Sequence, residues 1–326
     1  MSYTVTEENL VNLQAYLAGP GHDLYWPSVF VLPIWLQTWQ QLFGEDSEVC
    51  LRVVREGNTV AGIAPLIKDG NTVRFLGSTD VCDYMDFITI PGKENEFFHA
   101  LMEDLKSKGV NRMDLAHVRP DSAVMTYLKE AAQGAGFTVE AVQEEISMET
   151  GLPSDWDEYI SSLKGKQRHE IKRKLRRLDE AGDIELRFLE NNTDVSGAMD
   201  TFFKMFTGSR QDKAAFLTEQ MESFFRLLAD NMCTAGLLRL GILELDKKPI
   251  AAILCFDYND CIYLYNSGYD PEYNNLSAGL LSKVLAIQDS IKRGKKVFDF
   301  LKGAETYKYH LGGREVPLYR CLINIE

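Results

Sequence analysis

The feature that most constrains this chain is a long-range repeat of itself. Val60-Ala61-Gly62-Ile63 returns 190 residues later as Ile250-Ala251-Ala252-Ile253, and Phe75-Leu76-Gly77-Ser78 returns at the same spacing as Tyr265-Asn266-Ser267-Gly268. A shift of 185 places Gly109, Asp114 and Leu115 on Gly294, Asp299 and Phe300. Two nearly equal offsets across several segments predict a duplicated α/β unit. The length allows it: at ~100 to 200 residues per domain, 326 residues make two, and a 45% hydrophobic content gives each a core.

Strand-like and helix-like runs alternate throughout, so the expected class is mixed α/β. In the first half a helix is expected over 32–43 and a hairpin over 49–55 and 59–67, turned by Glu56-Gly57-Asn58. Strands 73–76 and 85–90, a helix 94–108, a strand 112–116, a helix 121–133 and a strand 137–148 follow. The second half repeats the plan, with helices 194–206 and 214–230, a hairpin 237–245 and 249–258, and a strand 262–267. A helix 278–293, a strand 297–301, a short polar helix and a last strand 318–325 complete it.

Gly151-Leu152-Pro153 marks the expected boundary between a unit 1–150 and a unit 151–326. Ser154 and Asp157 have capping-box spacing, so a helix should begin there and lead into a basic segment. That segment holds Lys164, Lys166, Arg168, Lys172, Arg173, Lys174, Arg176 and Arg177 against Glu170 alone, a net +7 in a chain of net −13. Ile171, Leu175 and Leu178 recur at helical spacing and give it one docking stripe, with cations around the remaining circumference.

The overall acidity disfavours a polyanion partner everywhere except at this patch. The six cysteines show no C-x-x-C, and His22, His99, His117, His169 and His310 show no ligand spacing, so no metal is expected. H-E-x-x-H, Walker A and G-x-S-x-G are absent, which argues against a zincin, a P-loop NTPase or an α/β-hydrolase. The start MSYTVTEENL lacks a signal-peptide pattern, and the most apolar run, 236–256, is broken by five charges. The expectation is a soluble cytoplasmic protein without membrane insertion.

Four strings make the second half recognisable: SRQDKAAF from Ser209, GLLRLGILELDKKPIAAILCFDY from Gly236, LYNSGYDPEYNNLSAG from Leu264 and FDFLKGAETYKYHLGG from Phe298. Together they resemble the GNAT superfamily, in the branch of the cellulose-biosynthesis CelD-like proteins and the Fem-type aminoacyltransferases. The resemblance implies two tandem GNAT units, each a central mixed sheet flanked by helices. It also implies transfer of an acyl group, from acetyl-CoA, another acyl-CoA or an aminoacyl-tRNA, to the amine of a small or sugar-linked acceptor. A catalytically silent binding protein of the same architecture is the alternative.

In a GNAT unit the donor pyrophosphate rests on backbone amides where the helix after the fourth strand begins. The resemblance puts that position at Asn275, Ser277, Ala278 and Gly279, where small residues admit an anion. The matching helix of the first half begins Pro91-Gly92-Lys93-Glu94-Asn95-Glu96, and two glutamates repel a pyrophosphate. The second unit is therefore the expected donor site, and the first a scaffold or acceptor surface.

The family's strand positions make Tyr265, Asp299, Glu305, Tyr307 and Tyr309 the catalytic candidates. Tyr307 or Tyr309 would protonate the leaving group, and Glu305 or Asp299 would accept a proton through water. Asn266, Tyr269, Arg210, Lys213 and Lys308 are the substrate-binding candidates, Lys308 for a phosphate and Arg210 or Lys213 for an anionic acceptor. The basic segment has three readings: a phosphate contact for CoA or a nucleotide-linked acceptor, an RNA contact, or a surface paired with the molecule's own acids.

Overall fold

The computed structural model describes residues 2–18, 23–189 and 192–325, and the chain divides into two compact units. Met1–Ile146 with Val316–Glu326 form the first, and Ser147–Glu315 form the second. The strands are β1 (Tyr3–Glu7), β2 (Glu48–Glu56), β3 (Thr59–Asp69), β4 (Thr72–Phe75), β5 (Ile88–Thr89), β6 (Arg112–Val118) and β7 (Thr138–Gly151). They continue as β8 (Ile184–Leu189), β9 (Leu238–Leu245), β10 (Lys248–Tyr258), β11 (Cys261–Tyr269), β12 (Val297–Lys302) and β13 (Arg314–Asn324).

Strand order establishes the duplication. The first unit runs β1-β2-β3-β4-β6-β13 and the second β8-β9-β10-β11-β12-β7. Each is a set of antiparallel hairpins followed by one parallel pair, β4 with β6 or β11 with β12, and then an antiparallel strand. The sequence assigned residues 137–148 to the first half and 318–325 to the second. In the structure Ser147–Gly151 pair with β12 and Tyr319–Asn324 pair with β6, so the last strand of each unit comes from the other half of the sequence. The expected unit 151–326 accordingly loses residues 316–326 to the first unit.

Local chemistry explains most elements. The β9–β10 turn uses Asp246 and Lys247, both at positive φ, as a two-residue hairpin connection requires. In the first unit the helix Glu94–Ser107 buries Phe97, Phe98, Leu101 and Leu105, and Phe97 and Phe98 pack on Phe87 at 5.8 and 5.3 Å. Each such ring contributes roughly 1.5–3 kcal/mol by leaving water. In the second unit Phe202, Phe206, Phe225 and Tyr265 form an aromatic layer between helices and sheet. Helix Ala278–Lys292 buries Leu281, Val284, Ile287 and Ile291.

Four expectations change. The cap before the basic segment is Asp155, whose carboxylate accepts the Glu158 N–H, so the helix is Trp156–Ser162 and the basic helix Gly165–Asp179 is separate. Thr218 caps Glu219–Thr234 through the Met221 N–H and divides the expected helix 214–230 from Gln211–Phe216. The strand expected at 85–90 shrinks to β5 because Asp86 spends its carboxylate on the N–H groups of Phe87, Ala123 and Val124. Those bonds also anchor the helix expected at 121–133, which opens as a π-turn at Val124–Leu128 and continues as Lys129–Gly134. The edge strands β1 and β8 carry no strong sequence signal, since most of their residues remain at least partly exposed.

Candidate active site

In the second unit β11 and β12 pair in parallel only at Cys261↔Val297, Ile262↔Phe298 and Tyr263↔Asp299. β11 continues to Tyr269 and β12 to Lys302, so the two strands part and open a cleft. On the other side of β11 the register slips, with Leu254 opposite Asn266 and Cys255 opposite Leu264, which leaves Tyr265 as the extra residue of a bulge. Gly268 is required here, because a Cβ would strike the Met205 and Phe206 backbone of the neighbouring helix.

The cleft gathers charged groups from three elements. Lys213 donates to the Ser267 carbonyl and lies 4.8 Å from the Phe206 ring centre. Burial, reinforced by Arg210, pulls its pKa down to about 8. Lys283 comes from the helix Ala278–Lys292, donates to Gly279 O at 2.7 Å and lies 5.0 Å from the Tyr307 ring centre. It is 7% exposed, and burial followed by repulsion from Lys213 pulls it down to about 7.

Past β12, Leu301 takes a left-handed conformation, and the Asp299 carboxylate accepts its N–H at 2.7 Å and the Ser147 hydroxyl at 3.5 Å. Lys308, 2% exposed, donates to the carbonyls of Leu301, Lys302 and Gly303 at 2.9, 2.6 and 3.1 Å and pairs with Glu305 at 2.9 Å. An ammonium has three N–H donors, and these acceptors use them all. Lys308 is thus a staple for the turn rather than the phosphate ligand expected of it, and Asp299 shapes the same turn.

Partial burial alone would raise the Glu305 carboxyl, but Lys308, with a smaller contribution from Arg210, holds it below its ordinary value. Burial raises the Tyr307 hydroxyl far above its ordinary value, with the Glu305 charge adding to it. Tyr309 is exposed and hydrogen-bonds Glu315, away from this group. Tyr265 packs between Phe225 and Phe256, 5.5 Å from each ring centre. Arg210 is exposed and paired with Asp212 at 2.7 Å.

At the expected donor position Pro271–Leu276 forms a 3-10 turn that includes Asn275, and Ser277 follows in a left-handed conformation. Leu280 and Leu281 bond back to Ser277 O, which leaves the first-turn amides of Ala278 and Gly279 at the helix opening. A Cβ on Gly279 would lie 2.6 Å from the Tyr269 ring, so this glycine lets the Tyr269 ring approach the helix start; Asn266 sits on β11 three residues earlier. Lys174 of the basic helix donates to Ser277 Oγ at 2.9 Å. Small residues, open amides and an adjacent cation suit a phosphate.

The basic helix is docked through Ile171 and Leu178, with Leu175 half-buried between them. Its Arg173 and Arg176 pair with Glu170 and Glu180. Among the described residues no carboxylate outside 170–180 pairs with its cations.

Two functional candidates were missed in the sequence. Lys283 had a signal, as the one cation within the apolar run 278–287. Lys174 had a weaker one, since it flanks the apolar stripe three residues after Ile171. Among the described residues no group of His, Cys, Asp and Glu is placed to hold a metal, and His22 lies outside the described residues. No described helix is long and apolar enough to cross a membrane.

A parallel pair that parts beside a helix start is the arrangement of the GNAT fold, here present twice. Residues 165–309 match the family model of the acetyltransferase (GNAT) domain, a span that covers most of the second unit. The chain has a GNAT-like architecture, and its residues 165–309 are similar to the GNAT acetyltransferase domain.

The whole chain also shares its fold with solved structures. FemX matches with a TM-score of 0.64 at 12% identity, over 98% of this chain and 96% of that one. A conserved protein of unknown function from Bacteroides thetaiotaomicron matches with a TM-score of 0.61 at 12% identity, over 99% and 100%. The C-terminal DUF2156 domain of a putative lysylphosphatidylglycerol synthetase from Agrobacterium fabrum matches with 0.55 at 12% identity, over 86% and 84%. No curated protein matches the chain by sequence.

Proposed function

We propose that the protein is an N-acyltransferase that moves an acyl group from an acyl-CoA to the amine of a small or sugar-linked acceptor, with the chemistry in the second unit. The observation that carries this reading is the cleft between β11 and β12, with Lys213, Lys283, Glu305 and Tyr307 gathered about it, inside a segment that matches an acetyltransferase domain.

Acyl-CoA supplies the acyl group as an activated thioester. The amides of Ala278 and Gly279, with Lys174 beside Ser277, hold its pyrophosphate. Glu305, held ionised, accepts through water the proton that an ammonium acceptor must lose before it can attack. The leaving thiolate needs a proton. Tyr307 is held too firmly in its protonated form to give one easily, whereas Lys283, with a pKa near 7, is matched to the task. General acid or base assistance of this kind contributes roughly 10²–10⁴-fold.

Calorimetric titration with acetyl-CoA and longer acyl-CoAs tests the reading. It predicts saturable binding and hydrogen-exchange protection at Ser277 to Gly279; absence of both overturns it.

The second reading is an aminoacyl-tRNA donor. The exposed, largely unneutralised cations of Gly165–Asp179 favour it, as does the fold shared with FemX. Under this reading acyl-CoA does not bind, and the charged tRNA binds with a steep salt dependence.

A further inference from the structure

The helix Glu94–Ser107 occupies in the first unit the place that Ala278–Lys292 holds in the second. Its opening is taken by its own side chain: Glu94, 8% exposed, accepts the Gly92 N–H at 2.7 Å, and this carboxylate excludes a phosphate. Glu94 also borders a cavity of about 190 Å³, small beside the roughly 300–1,000 Å³ of drug-sized sites.

Asp86, 8% exposed, lines the same cavity. So does Ser28, 2% exposed, whose Oγ has no protein hydrogen-bond partner. A buried hydroxyl left in that state costs about 1–3 kcal/mol, so it marks a place where a ligand donor or acceptor belongs.

Two other charged groups face the cavity, Arg119 and Asp121, and they pair with each other at 3.1 Å. Arg119 also lies 5.1 Å from the Tyr84 ring centre. With that pair neutral, Glu94 and, once it is ionised, Asp86 leave the cavity acidic, and the aromatic residues Tyr25, Tyr84 and Tyr127 also line it. Carboxylates and aromatic rings around a small volume favour an organic cation over an anion.

We propose that the first unit binds a small organic ammonium ion in this cavity, held by Glu94, Asp86 and Ser28 among the rings of Tyr25, Tyr84 and Tyr127. The site descends from the place where the second unit offers open amides, with the sign of its preferred ligand reversed by Glu94. It stands whether or not the second unit transfers an acyl group. Burial, the largest influence, raises the Asp86 carboxyl to about 7, and the three N–H groups it accepts only partly offset this. A bound cation draws Asp86 towards its ionised form, so binding tightens as pH rises through 7 while an alkylamine remains protonated.

The test is calorimetry on the full chain with n-butylammonium, n-butanol and butyrate as probes. The expected result is that butylammonium binds at least roughly tenfold more tightly than the alcohol or the anion, and that Glu94→Gln removes most of that preference. Ser28→Ala should weaken butylammonium binding without lowering the melting temperature, and affinity should rise from about pH 6 to about pH 8. Equal binding of the alcohol overturns the proposal, as does a folded Glu94→Gln protein with unchanged affinity. If Glu94→Gln does not fold, the three-probe contrast and Ser28→Ala decide: no preference for the cation, or no effect of Ser28→Ala, overturns it.

Discussion

Lys174 Nζ lies 2.9 Å from Ser277 Oγ, which ties the basic helix to the opening of the helix Ala278–Lys292. The cation also lies 3.6 Å from Glu170 and is only 20% exposed, so it is positioned rather than free to sweep the surface. Lys174→Ala should therefore weaken acyl-CoA binding roughly tenfold and flatten its salt dependence. It should change stability by less than about 1 kcal/mol, because its ion pair is part-exposed. Titrations at two salt concentrations, with melting curves, check both parts.

Lys308 is expected to matter for folding rather than for phosphate binding. Lys308→Met leaves the carbonyls of Leu301, Lys302 and Gly303 without their donor and Glu305 without its partner. A loss of about 3 kcal/mol or more is expected in urea unfolding. A loss under about 1 kcal/mol would show that the turn holds itself.

Two glycines of the cleft should respond differently to an added methyl. At Gly268 the obstruction is the Met205 and Phe206 backbone, which cannot rotate away, so Gly268→Ala should cost about 3 kcal/mol. At Gly279 the obstruction is the Tyr269 ring at 2.6 Å, which can turn. Gly279→Ala should fold with a smaller loss, about 1 kcal/mol, and lose donor affinity instead. Denaturation and calorimetry on the pair separate the two effects.

The buried lysine sets a pH dependence with a definite sign. Lys283 titrates near 7 in the folded chain and near its ordinary 10.5 when unfolded. Between those values the unfolded state binds the extra proton, so this group's contribution makes stability rise with pH across that window and go flat below it. Lys283→Met should be more stable at neutral pH and should lose most of the rise. Urea midpoints at about pH 7 and pH 9 give the answer.

Charge reversal of Arg173 and Arg177 probes the aminoacyl-tRNA reading. Both are exposed, and Arg173 pairs only with Glu170 of its own helix among the described residues. If tRNA binds, Arg173→Glu with Arg177→Glu should abolish it without moving the melting temperature. Filter binding across a salt series would record the change; undetectable tRNA binding by the parent chain at low salt removes this reading.

The sequence by itself determined the features that its own repeats and local spacing carry. Offsets of 190 and 185 exposed the duplicated unit, and the apolar stripe of Ile171, Leu175 and Leu178 showed that the basic segment docks as a helix. The small residues at Ser277 to Gly279 marked the opening of a helix. Only the tertiary structure decided which strand completes each unit. Residues 137–148 and 318–325 both alternate like strands, and alternation assigns faces, not pairing partners.

The roles of the charged side chains were likewise beyond the sequence. Lys308 and Lys283 are both buried, yet the first finds three carbonyls and a carboxylate while the second finds Gly279 O, a tyrosine ring and another lysine nearby. Of the two tyrosines on the short helix Thr306–His310, packing takes Tyr307 towards the cleft and leaves Tyr309 in water. Helical periodicity can state that neighbouring side chains point apart. Desolvation, which determines what a charge or hydroxyl does, depends on segments far away in the chain, and these meet only when the strands part.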